Sequence, residues 1–235
     1  MIGSPVGHDL NGAAVIVAGA TGGLGSAVAR VLRDRGAGLV LVARDEHRLA
    51  VLDLPGPRVA GDIADSETGR RAVEAAFAAH GRLDGLINAA GEVAFGPLAE
   101  VDDVTLDRLV ASNLLGPLRM MRAALPHLAG GFVVNLSAVV AEQPPAGMVA
   151  YAATKAGITA ADTALRREVR RQRIDVIDVR PPHTETGLAD RPIAGSAPDL
   201  APGIAPDAVA EVIVAAIEDG ARDVPASAFT VGADR

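Results

Sequence analysis

The chain has 235 residues, 49% hydrophobic and 22% charged, with a formal net charge of −7 and no cysteine. That balance supports a sizeable buried core and excludes disordered and collagen-like chains, while the negative charge argues against a nucleic-acid backbone as the main partner. The missing cysteines exclude disulfides, thiolate-bound zinc and thiol nucleophiles, and the scattered histidines show no metal-ligand spacing. In chain order, residues 13–18 (AAVIVA) form a short apolar run suited to a strand buried on both faces. Glycines follow, and residues 24–35 place Leu24, Val28, Val31 and Leu32 at helical spacing. Residues 39–43 (LVLVA) repeat the buried-strand pattern, 45–52 read as a short helix, and 58–61 as a third strand. Residues 66–80 are helical with Ser66 as the expected N-cap, and 83–88 form a fourth strand. A long helix is expected over 102–129, bent near Gly116 and Pro117. Then come a fifth strand (132–137), a second long helix (150–172), a sixth strand (174–179), a helix (207–217) and a last strand (227–231).

Strands alternating with helices imply a parallel sheet with right-handed crossovers. No repeat or linker divides the chain. The expected fold is therefore α/β: a single Rossmann-type domain over residues 1–235, a doubly wound parallel sheet with helices on both faces. The Pro- and Gly-rich stretch 181–206 is too long for a simple connection, so 183–206 is expected to be a lid over the substrate. The arginine-rich run 166–173 is a solvated helix face. Neither a leader nor an apolar run of membrane-spanning length is legible, so a cytoplasmic protein without membrane contact is expected.

Two motifs carry chemistry. Between the first strand and first helix lies Gly19-Ala20-Thr21-Gly22-Gly23-Leu24-Gly25. Glycines there allow a tight turn and let a pyrophosphate approach the helix N-terminus, where free N–H groups and the helix dipole favour negative charge. The second motif uses the chain's only tyrosine and only lysine, Tyr151 and Lys155. Spacing of i, i+4 puts both on one helix face. A phenol with a pKa of about 10 exchanges protons poorly near neutrality, and a neighbouring ammonium lowers that pKa by stabilising the phenolate.

With these motifs the sequence resembles the short-chain dehydrogenase/reductase family from about Asn11 onward. Gly19, Gly23 and Gly25 match its G-x-x-x-G-x-G loop, Asn88-Ala89-Ala90-Gly91 its N-N-A-G motif with alanine in second place, and Tyr151 and Lys155 its Y-x-x-x-K pair. The resemblance implies a nicotinamide cofactor held by Gly19, Thr21, Gly22, Gly23, Leu24, Gly25, Arg44, Asp62, Ile63, Asn88, Ala89, Ala90, Gly91, Tyr151, Lys155, Pro181, Thr184 and Thr186. It also implies catalysis by Tyr151 as acid/base, with Lys155 lowering its pKa and holding the ribose, and Asn113 positioning a relay water. No metal is implied.

The pattern breaks in two places. Where the family has a serine thirteen residues before the tyrosine, this chain has Ala138, with Ser137 immediately before it. Either a loop shift lets Ser137 serve as a catalytic residue, or the site lacks that hydroxyl, the reading favoured by the alternation of faces along a strand. Pro181-Pro182 stands where the family has Pro-Gly, and His183 beside it reads as a loop residue. Ala43 replaces the acid of NAD-preferring members and Arg44 follows it, which implies NADP(H) rather than NAD.

The expected function is NADP(H)-dependent interconversion of a small-molecule carbonyl and an alcohol. The alternatives are a dinucleotide-binding regulatory or scaffold protein with weak or no turnover, and an epimerase or dehydratase. A homodimer or homotetramer is expected through the two long helices, the second carrying Ala152, Ala153, Ala156 and Ala160.

Overall fold

In the computed structural model, which describes residues 7–229, the chain folds around one seven-stranded parallel sheet of order β3-β2-β1-β4-β5-β6-β7. The strands are β1 (Ala14–Ala18), β2 (Gly38–Ala43), β3 (Arg58–Ala60), β4 (Gly85–Asn88), β5 (Phe132–Leu136), β6 (Asp175–Val179) and β7 (Asp223–Val224). The helices are α1 (Gly23–Asp34), α2 (Glu46–Ala50), α3 (Ser66–His80), α4 (Asp103–Val110), α5 (Gly116–Ala124), α6 (Val149–Glu168) and α7 (Pro206–Glu218).

The expected doubly wound α/β architecture is present. Because strand side chains alternate, Val15, Val17, Leu39 and Leu41 face α1 and α7, burying Val28, Leu32, Ile213 and Val214. Ile16, Val40 and Val42 point the other way, against Ala72 and Val73 of α3 and Met120 and Met121 of α5. The strand order reverses between β1 and β4, and ligands of such sheets bind at that switch point, beyond the carboxyl ends of the strands.

Several local expectations are corrected. The N-cap of α3 is Asp65, not Ser66; its carboxylate accepts from Glu67 N–H at 3.0 Å. The expected helix over 102–129 is four pieces: α4, a π-helical turn (Ala111–Leu115), α5, which carries Pro117 in its first turn, and a 3-10 turn (Leu125–His127). The break therefore falls one turn before the proline, where Asn113 lies. The last strand is Asp223–Val224, and Ala226–Ala228 form a 3-10 turn where a strand was expected. The end of that expected strand, residues 230–231, lies outside the described residues. Among the described residues no helix is long and apolar enough to cross a membrane.

Candidate active site

A cleft of about 840 Å³ runs along the carboxyl ends of β1 to β6. Its first wall is the turn from β1 to α1. Gly19 has φ +89°, and a Cβ there would come within 2.5 Å of Ala90 N, so only glycine fits between the two loops. A Cβ on Gly25 would lie 2.1 Å from Gly19 O, and one on Gly23 2.7 Å from Cβ of Thr186. The N-terminus of α1 is capped by Gly22 with no side-chain hydrogen bond, and Thr21, Gly22, Gly23 and Leu24 line the cleft. Gly22 N–H turns back to Gly19 O at 2.9 Å, and the first N–H groups of α1 after it have no side-chain cap, a fit for the pyrophosphate of a dinucleotide.

Asp62 and Ile63 follow β3 in the same wall. Asp62 accepts from Ala64 N–H at 2.8 Å, and Ile63 packs under Gly116. After β4, Ala89, Ala90 and Gly91 line the cleft, whereas Asn88 is buried behind it, donating to Asn135 at 2.7 Å. A Cβ on Gly91 would stand 3.1 Å from Asn113 Oδ1 and 3.5 Å from Lys155 Nζ.

Asn113 is buried with both ends of its amide engaged. Oδ1 accepts from Glu92 N–H at 2.8 Å, and Nδ2 donates to Glu92 O at 2.8 Å and to Thr154 Oγ1 at 3.2 Å. Its contacts clamp the loop after β4 against α6.

Tyr151 and Lys155 lie one turn apart on the buried face of α6, 7% and 6% exposed. Lys155 Nζ donates to Leu136 O at 2.8 Å and sits 5.8 Å from the centre of the Tyr151 ring. Burial pushes the Lys155 ammonium down to about 8, opposed by the charge of Asp178, and raises the Tyr151 phenol above its usual value, the opposite direction to the lowering expected from Lys155. The resting phenol is therefore protonated at neutral pH.

Ser137 is turned to other work. Its hydroxyl donates to Asp178 Oδ1 at 2.5 Å and stands 3.1 Å from Val179 O. Asp178 is itself paired with Arg180, which also binds Asp223 and Glu142. Both Ser137 and Ala138 line the cleft, but the Ser137 hydroxyl is engaged as described and Ala138 carries no donor.

Past β6, Pro181 O accepts from Val139 N–H at 3.0 Å, Thr184 donates to Pro182 O at 2.9 Å, and Thr186 packs on Gly23. The segment up to α7 has no regular element and folds down over the cleft. Ile193 N–H donates to Val93 O at 2.8 Å, and Phe95 N–H to Ala194 O at 3.0 Å. Leu188, Ile193 and Ala194 close an apolar cluster with Val93, Phe95, Leu109 and Tyr151. His183 stays beside Glu185, 3.6 Å away.

Arg44 lines the cleft at the end of β2, and its partner is Glu92 rather than the adjacent Asp45, which caps α2. Three residues that sequence reasoning passed over complete this end: Glu92, Arg108 and Arg48, the last donating to Thr21 O at 2.5 Å. An acid directly after the Asn88–Gly91 motif was the one available signal. Among the described residues no cluster of acids and histidines is arranged for a metal.

A backbone cradle at the switch point joined to a buried tyrosine–lysine pair defines a dinucleotide-dependent oxidoreductase of the α/β class. Residues 13–194 match the short chain dehydrogenase family model, and the chain belongs to that family. It is 31% identical over 233 residues to an uncharacterized oxidoreductase of Methylorubrum extorquens, covering 91% of this chain and 93% of that one. It is 37% identical over 191 residues to a putative ketoacyl reductase of the granaticin polyketide synthase of Streptomyces violaceoruber, covering 75% and 69%. A short chain dehydrogenase of Burkholderia cenocepacia, solved in complex with NADP, superposes with a TM-score of 0.82 at 26% identity, covering 95% of this chain and all of that one.

Proposed function

We propose that the protein is an NADP(H)-dependent reductase of a small, largely apolar carbonyl compound, with Tyr151 as proton donor. The observation that carries this is the pairing of Tyr151 with Lys155 on the cleft floor beside Gly91. Burial keeps the phenol protonated, so Tyr151 Oη has a proton to give to a carbonyl oxygen. When bound, a reduced nicotinamide supplies the hydride. Lys155, held by Leu136 O, keeps a positive charge near the phenolate that results and limits its cost in a site shielded from water. Asn113 acts by positioning, since its amide pins the loop on which Gly91 and Glu92 lie.

The cluster of Val93, Phe95, Leu188 and Ile193 around Tyr151 supports an apolar substrate, and the segment 183–206 is the lid that sequesters it within a single domain. Arg44, exposed at the end of β2 with Ala43 in the acid's usual place, supports NADP(H) over NAD. The engagement of Ser137 by Asp178 favours a second reading, weak turnover on simple carbonyls. A homodimer or homotetramer is supported by Val104, Val110, Leu115, Leu118 and Val149, large apolar side chains left exposed on and beside α4, α5 and α6. On α6, Ala153, Ala156 and Ala160 are exposed, while Ala152 is buried.

NADPH oxidation measured against a panel of ketones, aldehydes and quinones tests the reading. Tyr151→Phe keeps the ring and removes the donor, and is expected to lower kcat by about 10²-fold or more at saturating NADPH, with cofactor affinity measured separately. Unaltered turnover in this variant would refute the assignment of Tyr151.

A further inference from the structure

We propose that Glu92 is a specificity-determining residue at the adenosine end of the cleft, acting through Arg44 to set how strongly a 2′-phosphate is preferred over a 2′-hydroxyl. The inference rests on the reading that the adenosine ribose lies beside Arg44.

The carboxylate of Glu92 is the fixed partner in its cluster. Its side chain is 8% exposed, against 59% for Arg44 and 51% for Arg108. Its backbone is held on both sides by the Asn113 amide. Arg44 Nη1 donates to Glu92 Oε1 at 2.8 Å, and Arg108 Nη2 donates to the same oxygen at 2.9 Å. Arg44, a long and half-free side chain, therefore comes to Glu92 rather than the reverse. Burial works to raise the Glu92 carboxyl, but the guanidinium groups of Arg108 and Arg44 outweigh it and hold the group below the usual carboxylate range. Glu92 is thus an anion throughout the neutral range.

A guanidinium fork binds a carboxylate and a phosphate by the same geometry. Arg44 already holds one oxyanion, so a 2′-phosphate reaching it must share the arginine with Glu92 and sit near a second negative charge. A ribose hydroxyl is neutral and meets neither cost. Glu92 therefore restrains the phosphate preference that Arg44 confers. Asp45, the neighbouring acid, makes no ion pair with Arg44; its carboxylate caps α2, accepting from Arg48 N–H at 3.0 Å. Both arginines are more than a third exposed, so solvent screens the effect, and removing the charge is expected to change affinity by about three- to tenfold.

Calorimetric titration with adenosine 2′,5′-bisphosphate and with AMP isolates this end of the site without turnover. Glu92→Gln keeps the side-chain size and the backbone bonds to Asn113, and a thermal melt confirms the fold. Expected are a three- to tenfold tighter complex with the bisphosphate, AMP affinity unchanged within about twofold, and loss of the difference when Arg44→Ala is added. Equal changes for both probes, no change in their ratio, or a gain that persists without Arg44 overturns the proposal. A wild type that binds AMP as tightly as the bisphosphate defeats the NADP(H) assignment alone, since Glu92→Gln must still shift the ratio toward the bisphosphate. Failure of both probes to bind the wild type at millimolar concentration overturns both.

Discussion

The glycine end of the cleft is made almost wholly of backbone, whereas the end around Tyr151 is made of buried side chains. At Gly19, Gly23 and Gly25 the loops approach so closely that a single methyl group has no room. Around Tyr151 the polar side chains of Lys155, Asn113 and Ser137 are buried, and each is tied to a specific partner. The two ends thus have opposite weaknesses: the first breaks when an atom is added, the second when a donor or a charge is changed.

The largest expected effect on cofactor binding is at the glycine end. Gly19→Ala combines a left-handed backbone with a Cβ 2.5 Å from Ala90 N, and backbone on backbone yields poorly. Dinucleotide affinity should fall by about 100-fold or more, and stability by about 2–4 kcal/mol, checked by calorimetry and thermal melts. Gly81→Ala separates strain from crowding. Gly81 also has positive φ (+71°) but nothing within 4 Å, so only about 1 kcal/mol is expected there, with cofactor affinity intact.

Behind the side-chain end, Asp162 is 0% exposed and takes one hydrogen bond from Asn135. Burial pushes its carboxyl up to about 8, against a usual value of about 3.9. Between those values the folded state keeps a proton that the unfolded chain has lost, so stability falls as pH rises from about 4 to about 8. Asp162→Asn cannot ionise and escapes that loss. The variant should match the wild type near pH 4 and gain on it by up to about 1.4 kcal/mol per pH unit toward pH 8. Parallel denaturation curves across this range would mean that the carboxyl is ionised in the folded protein.

The smallest effects fall at the altered serine position. Ser137→Ala removes a donor from Asp178, which keeps Arg180, so about 1–2 kcal/mol of stability is expected to go while kcat changes less than about threefold. Ala138→Ser places a hydroxyl in the cleft and should raise turnover on simple carbonyls several-fold. The reverse order, a collapse of kcat in Ser137→Ala, would show that Ser137 reaches the substrate.

How much of this was legible in the chain follows the same division. The buried strands, the glycine spacing and the tyrosine–lysine pair are local patterns, and each is found on the element where its periodicity places it. Alternation along β1 is a property of the backbone, as is the one-turn separation of Tyr151 and Lys155. Misreadings cluster where neighbours in space outvote neighbours in sequence. Asp65 rather than Ser66 caps α3, and the helix break falls at the π-helical turn around Asn113 rather than at Pro117.

By itself, then, the sequence determined the alternation of strands and helices, a doubly wound α/β fold and the residues of the two motifs, because these rest on spacing within one element. Only the tertiary structure decided where each polar atom makes its hydrogen bonds. Arg44 meets Glu92, Ser137 meets Asp178, and Asn113 meets the backbone of Glu92, in each case a partner contributed by another element. A buried donor or charge must be matched by whatever acceptor the packed elements bring to it, and strand order and loop approach decide which one that is.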